Sequence, residues 1–226
     1  MLHTEQPPET PICSVILIGN PGAGKSAILN ALGGNFHSGF SAVTGLTRET
    51  KTKTVTIDQK ELKLVDLPGI SDAKGKGAIS KNLQLLEESL NDCSQALLFF
   101  VITPNYGRIG SEDFAVLKTL LLNLRKSPII GLFITQVNEE HISKINNDGY
   151  REKVFQILKE HGANTAYLEK NFWSVLKQHG EEGFSDNEKA AIRKYVCSFV
   201  PAEVKVSNLF VRVFMEILAY FKKLLG

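Results

Sequence analysis

"GNPGAGKSAILNALGG", residues 19–34, joins an apolar run to a helix-like run through glycines, one proline and one lysine. The run before it, ICSVILI (12–18), is short, apolar and partly β-branched, as a buried strand should be. The run after it, from Gly24 to Leu32, reads as a helix. Between them Gly19, Gly24, Lys25 and Ser26 satisfy the spacing GxxxxGK[ST]. Glycines let a backbone wrap closely, so that several N–H groups point inward at one phosphate chain. A helix N-terminus adds unsatisfied amides and the positive end of its dipole. Lys25 then supplies a point charge for the β- and γ-phosphates, and Ser26 offers its hydroxyl to Mg²⁺. The candidate phosphate-binding residues are therefore Gly19, Asn20, Pro21, Gly22, Ala23, Gly24, Lys25, Ser26 and Ala27.

Working outward, KTKTVTI (51–57) alternates like an edge strand, Asp58 to Lys60 make a turn, and ELKLVDL (61–67) returns as an antiparallel partner. Its end carries DLPG (66–69). An aspartate there can hold a water of the Mg²⁺ shell, and Gly69 can offer an amide to a γ-phosphate. In the long loop 34–50, Thr44 or Thr47 can complete the metal shell, and Thr44 is preferred. The metal set is thus Ser26, Thr44 and Asp66. TQVN (135–138) follows a third buried strand, where GTPases read guanine with [NT]KxD. Thr135 fits, Gln136 replaces the lysine, and Asn138 replaces the aspartate. A carboxylate accepts from both guanine N1 and N2, whereas an asparagine accepts on one side only. Glu139 and Glu140 either supply the missing carboxylate or are simply solvated acids.

The rest of the chain alternates buried strands and helices. Helix 78–91 is followed by the strand QALLFFVI (95–102) and the loop TPNYGRIG (103–110). Ser111, as a cap before Glu112 and Asp113, should start a helix running to about Lys126. PIIGLFIT (128–135) is a strand, 149–161 a helix ending at Gly162, and NFWSVL (171–176) a weaker strand. Ser185 and Glu188 form a capping box that opens a helix to about Phe199. This order predicts an α/β P-loop domain. Its sheet is mostly parallel with one antiparallel hairpin strand, and helices cover both faces. The expected organisation is a loose tail over 1–11, the domain over 12–200, and a C-terminal amphipathic helix over 201–226. That last helix carries Arg212 and Glu216 mid-length, which disfavours membrane spanning. It should dock on the domain, on a partner, or at a membrane surface.

Composition narrows the class. A net charge of +2 over 226 residues, with no dominant basic stripe, argues against a nucleic-acid partner. Cys13, Cys93 and Cys197 are far apart and form no CxxC pair, so neither a disulfide framework nor a zinc site is suggested. A reducing, cytoplasmic setting fits, with peripheral membrane contact open. An N-terminus of acids and prolines is not a secretory signal.

Together these residues resemble the immunity-associated (GIMAP or AIG-type) GTPases, relatives of septins and chloroplast Toc GTPases. The likeness spans about 12–176. It rests on the P-loop, on FHSGFSAVT (36–44), on DLPGISD (66–72) and most particularly on NYGRIGSEDFAVLKTLL (105–121), which is similar to that family's box. The P-loop departs from the family in lacking "GNSILG" after Lys-Ser. The resemblance implies a G domain that binds GTP or GDP with Mg²⁺. It also implies association into a homodimer or homo-oligomer across the nucleotide face. Catalytic roles would fall to Lys25, Thr44, Gly69 and Arg108, the last as a finger in its own subunit or across a dimer. Alternatively, Arg108 pairs with Glu112 or Asp113. Ras-like enzymes place a water-orienting glutamine after DxxG; Ile70 stands there, so hydrolysis should be slow unless Ser71 or Asp72 substitutes. A nucleotide-gated scaffold without turnover is the alternative function. A small-molecule P-loop kinase is disfavoured because Arg193 and Arg212 sit in helices rather than a lid.

Overall fold

The computed structural model describes residues 12–38, 49–70, 76–106, 108–124, 130–160, 173–177, 183–204, 211–212 and 215–216. Six strands form one sheet: β1 (Cys13–Gly19), β2 (Lys51–Ile57), β3 (Lys60–Asp66), β4 (Ala96–Ile102), β5 (Ile130–Val137) and β6 (Trp173–Lys177). Their order is β2-β3-β1-β4-β5-β6. Only the β2–β3 pair is antiparallel; β1 runs parallel to both β3 and β4, and β5 parallel to β4 and β6. Asp58 and Gln59 turn the hairpin with φ of 49° and 64°, the left-handed pair that a tight two-residue connection needs. The α/β architecture with a single antiparallel strand is as the sequence predicts.

Helices α1 (Lys25–Ala31) and α6 (Asp186–Cys197) cover one face. There Ile28, Leu29, Ile192 and Val196 meet Val15, Leu17, Phe99 and Phe133. Helices α2 (Lys76–Asn91), α3 (Ser111–Asn123), α4 (Glu139–Ile145) and α5 (Asp148–Glu160) contribute to the other. Leu83, Leu86, Val116, Leu120, Ile145 and Val154 pack there against Ile16, Ile18, Phe100 and Ile134. Alternate residues of β1 and β4 therefore feed opposite cores, as strands buried on both faces must.

Three expectations need revision. Gly110, not Ser111, is the N-cap of α3, and no side chain caps that end; Ser111 is already helical. Helix α3 ends at Asn123 because Leu124 turns extended, with ψ of 119°. Helix α4 was not expected: Glu139 and Glu140, read as a base-reading carboxylate or as solvated acids, fall in its first turn and Lys144 in its last, where their charges favour the helix dipole. The Ser185–Glu188 capping box is present in full. The proposed stop at Gly162 and the 1–11 tail lie outside the described residues.

After α6 the chain passes the N-terminal end of β4, where Ala202 bridges to Ala96. Helical residues 211–212 and 215–216 follow; Val211 and Met215 pack on the α2/α3 core, and Arg212 pairs with Glu216 at 3.1 Å on the exposed side. Among the described residues no helix is long and apolar enough to cross a membrane.

Phe99 is the centre of an aromatic cluster, with ring centroids 5.4 Å from Phe133, 5.8 Å from Tyr195 and 4.9 Å from Phe199. A Cβ on Gly131 would lie 2.3 Å from the Phe99 ring. Because Phe99 is fully buried, the ring has nowhere to go. Gly131→Ala should lower unfolding free energy by about 1–3 kcal/mol, read by chemical denaturation.

Candidate functional site

The loops that carry the sequence motifs all leave the C-terminal ends of parallel strands, the edge where open α/β sheets bind ligands. Residues 20–24 follow β1, Leu67–Ile70 follow β3, Thr103–Gly110 follow β4, and Asn138 follows β5. Gly22 and Gly24 hold φ of 76° and 85°, so residues with side chains would be strained at both. Gly19 has a different reason to be glycine: a Cβ there would sit 2.3 Å from the Val101 carbonyl oxygen of β4.

The turn winds around an ammonium group. Lys25 is only 6% exposed. Its Nζ donates to the Gly19 carbonyl at 3.2 Å and the Asn20 carbonyl at 3.0 Å. Beside it, Ser26 Oγ donates to Asp66, with Oδ1 at 2.9 Å and Oδ2 at 3.0 Å. Asp66 is itself buried. A hydroxyl and a carboxylate are thus brought together from two elements, and both are hard oxygen donors of the kind Mg²⁺ takes. Ser26 and Asp66 are the two metal candidates that the structure joins. Thr44 and Thr47 lie outside the described residues, as do Ser71 and Asp72.

The other motifs fasten onto this turn. Thr135 Oγ1 donates to the Ala23 carbonyl at 2.9 Å and lies 2.9 Å from Thr103 Oγ1. Gln136 takes φ of 55°, and its amide donates to the Gly22 carbonyl. The glutamine that replaces the motif lysine therefore reaches the P-loop backbone. Asn138 is the N-cap of α4, and its side chain makes no capping bond. Glu139 does not stand as an isolated solvated acid. Its Oε1 is 2.8 Å from Lys177 Nζ at the end of β6. That hydrogen bond, then the lysine charge, holds the Glu139 carboxyl below its ordinary value and the Lys177 ammonium above its own. Glu140 is exposed and lies 3.7 Å from His141 Nε2.

Two links were not foreseen. Asn20 Nδ2 donates to Asp113 Oδ1 at 2.6 Å, tying the P-loop to the first turn of α3. In sequence Asp113 reads as an acid favouring a helix start or as a partner of Arg108, and it is only 8% exposed. Asn82 of α2 donates to the Gly69 carbonyl at 2.8 Å. Neither residue belongs to a nucleotide motif, so spacing could not reveal either bond. Arg108 sits on a tight turn in which Asn105 and Arg108 exchange both backbone hydrogen bonds. Tyr106 at its tip is 86% exposed with φ of 48°. Asp113, one of the acids proposed to tie Arg108 down, accepts from Asn20 Nδ2.

Residues 14–136 match the family described as 50S ribosome-binding GTPase. The chain belongs to this family. It is 31% identical over 164 residues to the GTPase Era of Clostridium kluyveri, covering 73% of this chain and 50% of that protein. The chain therefore spans about half the length of that relative. Among solved structures, Toc33 from Arabidopsis thaliana with GDP and Mg²⁺ shares the fold at a TM-score of 0.59 and 15% identity. That match covers 88% of this chain and 89% of Toc33.

The exclusion of a nucleic-acid partner does not stand. The family is described as ribosome-binding. Net charge is a sum over the whole molecule and hides local grouping. In this chain the exposed Lys51, Lys53 and Lys60 share one face of the β2–β3 hairpin.

If the Asn20–Asp113 bond braces the P-loop, Asn20→Asp places two carboxylates in contact. The variant should lose about 1–3 kcal/mol at neutral pH. The deficit should shrink in acid, where one carboxyl keeps a proton. The exchange Asn20→Asp/Asp113→Asn should recover most of it, read by thermal melts at two pH values.

Proposed function

We propose that this G domain binds guanine nucleotide with Mg²⁺ in the turn around Lys25 and hydrolyses GTP slowly, as a switch governed by self-association. The observation that carries the reading is the joint placement of Lys25 and the Ser26–Asp66 pair at one end of one P-loop. The inward-facing backbone of residues 19–24 would take the phosphates, and Lys25 would exchange its two carbonyl partners for phosphate oxygens. Ser26 and Asp66 would hold Mg²⁺ directly or through water. When bound, the metal would supply positive charge that offsets the negative charge developing on the phosphates in transfer. Gly69 would offer its amide to the terminal phosphate.

Ile70 is 2% exposed and belongs to the α2/α3 core. It cannot orient a water, which supports slow intrinsic turnover. Arg108 stands at an exposed turn at the ligand edge, where its permanently charged fork suits a transferring phosphoryl group. The same turn opens the box on which the likeness to immunity-associated GTPases rests. We place the chain in that subgroup on this box, and the Toc33 fold is in keeping with it. A nucleotide-gated scaffold is the rival function, and turnover separates the two.

Lys25→Ala should abolish tight binding of both GDP and GTP, since each charge-assisted contact to phosphate is worth about 1.5–3 kcal/mol. Unchanged affinity by calorimetry would sink the assignment. GTP turnover per molecule should rise with protein concentration in the wild type. Arg108→Ala should remove that rise and leave affinity nearly unchanged. Turnover independent of concentration would contradict control by self-association.

A further inference from the structure

The peptide unit between Gly69 and Ile70 is held at both ends. Its carbonyl oxygen, on Gly69, accepts from Asn82 Nδ2 at 2.8 Å. Its N–H, on Ile70, donates to the Gly19 carbonyl at 3.3 Å. Gly69 itself is pressed on the P-loop, where a Cβ would lie 2.2 Å from the Pro21 nitrogen. The Ile70 side chain is anchored in the core that α2 builds with Ile79, Leu83 and Leu86. Asn82 is buried, so its amide is committed in a place where an unmade hydrogen bond is costly.

Only the φ and ψ of Gly69 separate this fixed peptide from the one that carries the Gly69 N–H. The close packing of Gly69 on Pro21 restricts both, so the direction of that N–H depends on the Gly69–Ile70 peptide being held in place. We infer that Asn82 is a positioning residue for the terminal phosphate of a bound triphosphate: it aims the Gly69 amide by fixing the Gly69–Ile70 peptide. The inference rests on the nucleotide reading of the P-loop and deepens it. P-loop amides cradle the α- and β-phosphates, which GDP and GTP share. Gly69 lies three residues past Asp66, the last residue of β3, and is the DxxG glycine read above as the amide for a third phosphate. Asn82 should thus act on GTP and not on GDP.

The Gly19 carbonyl strengthens the link. It accepts from Lys25 Nζ at 3.2 Å as well as from Ile70 N–H. When Lys25 turns to phosphate, the carbonyl is left with the Ile70 N–H, and the clamp on the peptide tightens.

The test measures affinities for GDP and for the non-hydrolysable analogue GMPPNP, both with Mg²⁺, on the full chain. Asn82→Ala removes the donor, and Asn82→Asp sets a carboxylate oxygen against the Gly69 carbonyl at nearly constant volume. Both should lower GMPPNP affinity about tenfold, the value of one buried hydrogen bond, with GDP affinity unchanged within about twofold. Leu86→Val loosens the same helix without touching Gly69. It should lower the melting temperature and leave the GMPPNP-to-GDP ratio alone. Equal losses for both nucleotides, or an unchanged ratio in the Asn82 variants, would overturn the inference while the P-loop reading stands. Wild-type protein that binds neither nucleotide would overturn both.

Discussion

A lysine enclosed by its own backbone sets the conditions for the rest of the structure. Carrying an ammonium group out of water is costly unless oxygens replace the hydration shell. The Lys25 ammonium lies between the carbonyls of Gly19 and Asn20, six and five residues earlier in the chain. A strand running straight into a helix cannot present its carbonyls backward to the helix's first residue. The chain must loop, and it loops through left-handed Gly22 and Gly24. That loop fixes where β1 stops and α1 starts, and β1 is the strand that joins β3 to β4.

Other loops then use the P-loop backbone as their anchor. Thr135 and Gln136 from β5 reach the Ala23 and Gly22 carbonyls, Ile70 after β3 reaches Gly19, and Asp113 of α3 takes the Asn20 amide. Three of these four are neutral contacts to backbone oxygen, the Asn20–Asp113 bond being the exception. A neutral contact to a carbonyl can re-form with little solvent reorganisation, whereas a buried ion pair resists rearrangement. The arrangement suits a site whose central charge must change partners when phosphate enters. It also gives each flanking loop its own line to the nucleotide: the β5 loop, the β3 loop with α2 behind it, and the turn bearing Arg108 with α3 behind it.

Much of this was legible in the sequence, for definite reasons. The P-loop spacing, the hairpin and the buried strands follow from glycine chemistry and hydrophobic period, which act over a few residues. The Ser185–Glu188 capping box is equally local and appears as written. What could not be read depends on tertiary approach. Asn82 lies 13 residues from Gly69 and Asp113 lies 93 from Asn20, and no local pattern marks either as a partner. Helix α4 was missed because seven residues carry too little period to signal a helix, and its acids looked like surface charge. The rejection of nucleic acid failed for another reason: a total of +2 contains no information on where the lysines stand.

The central claim is that the turn around Lys25 is a guanine-nucleotide site. Native mass spectrometry of the wild-type chain, before and after incubation with Mg²⁺ and an equimolar mixture of GDP and ADP, tests it most directly. The account predicts one GDP with Mg²⁺ retained per chain and GDP retained over ADP. A bare chain after incubation, or retention of ADP in preference, would contradict it.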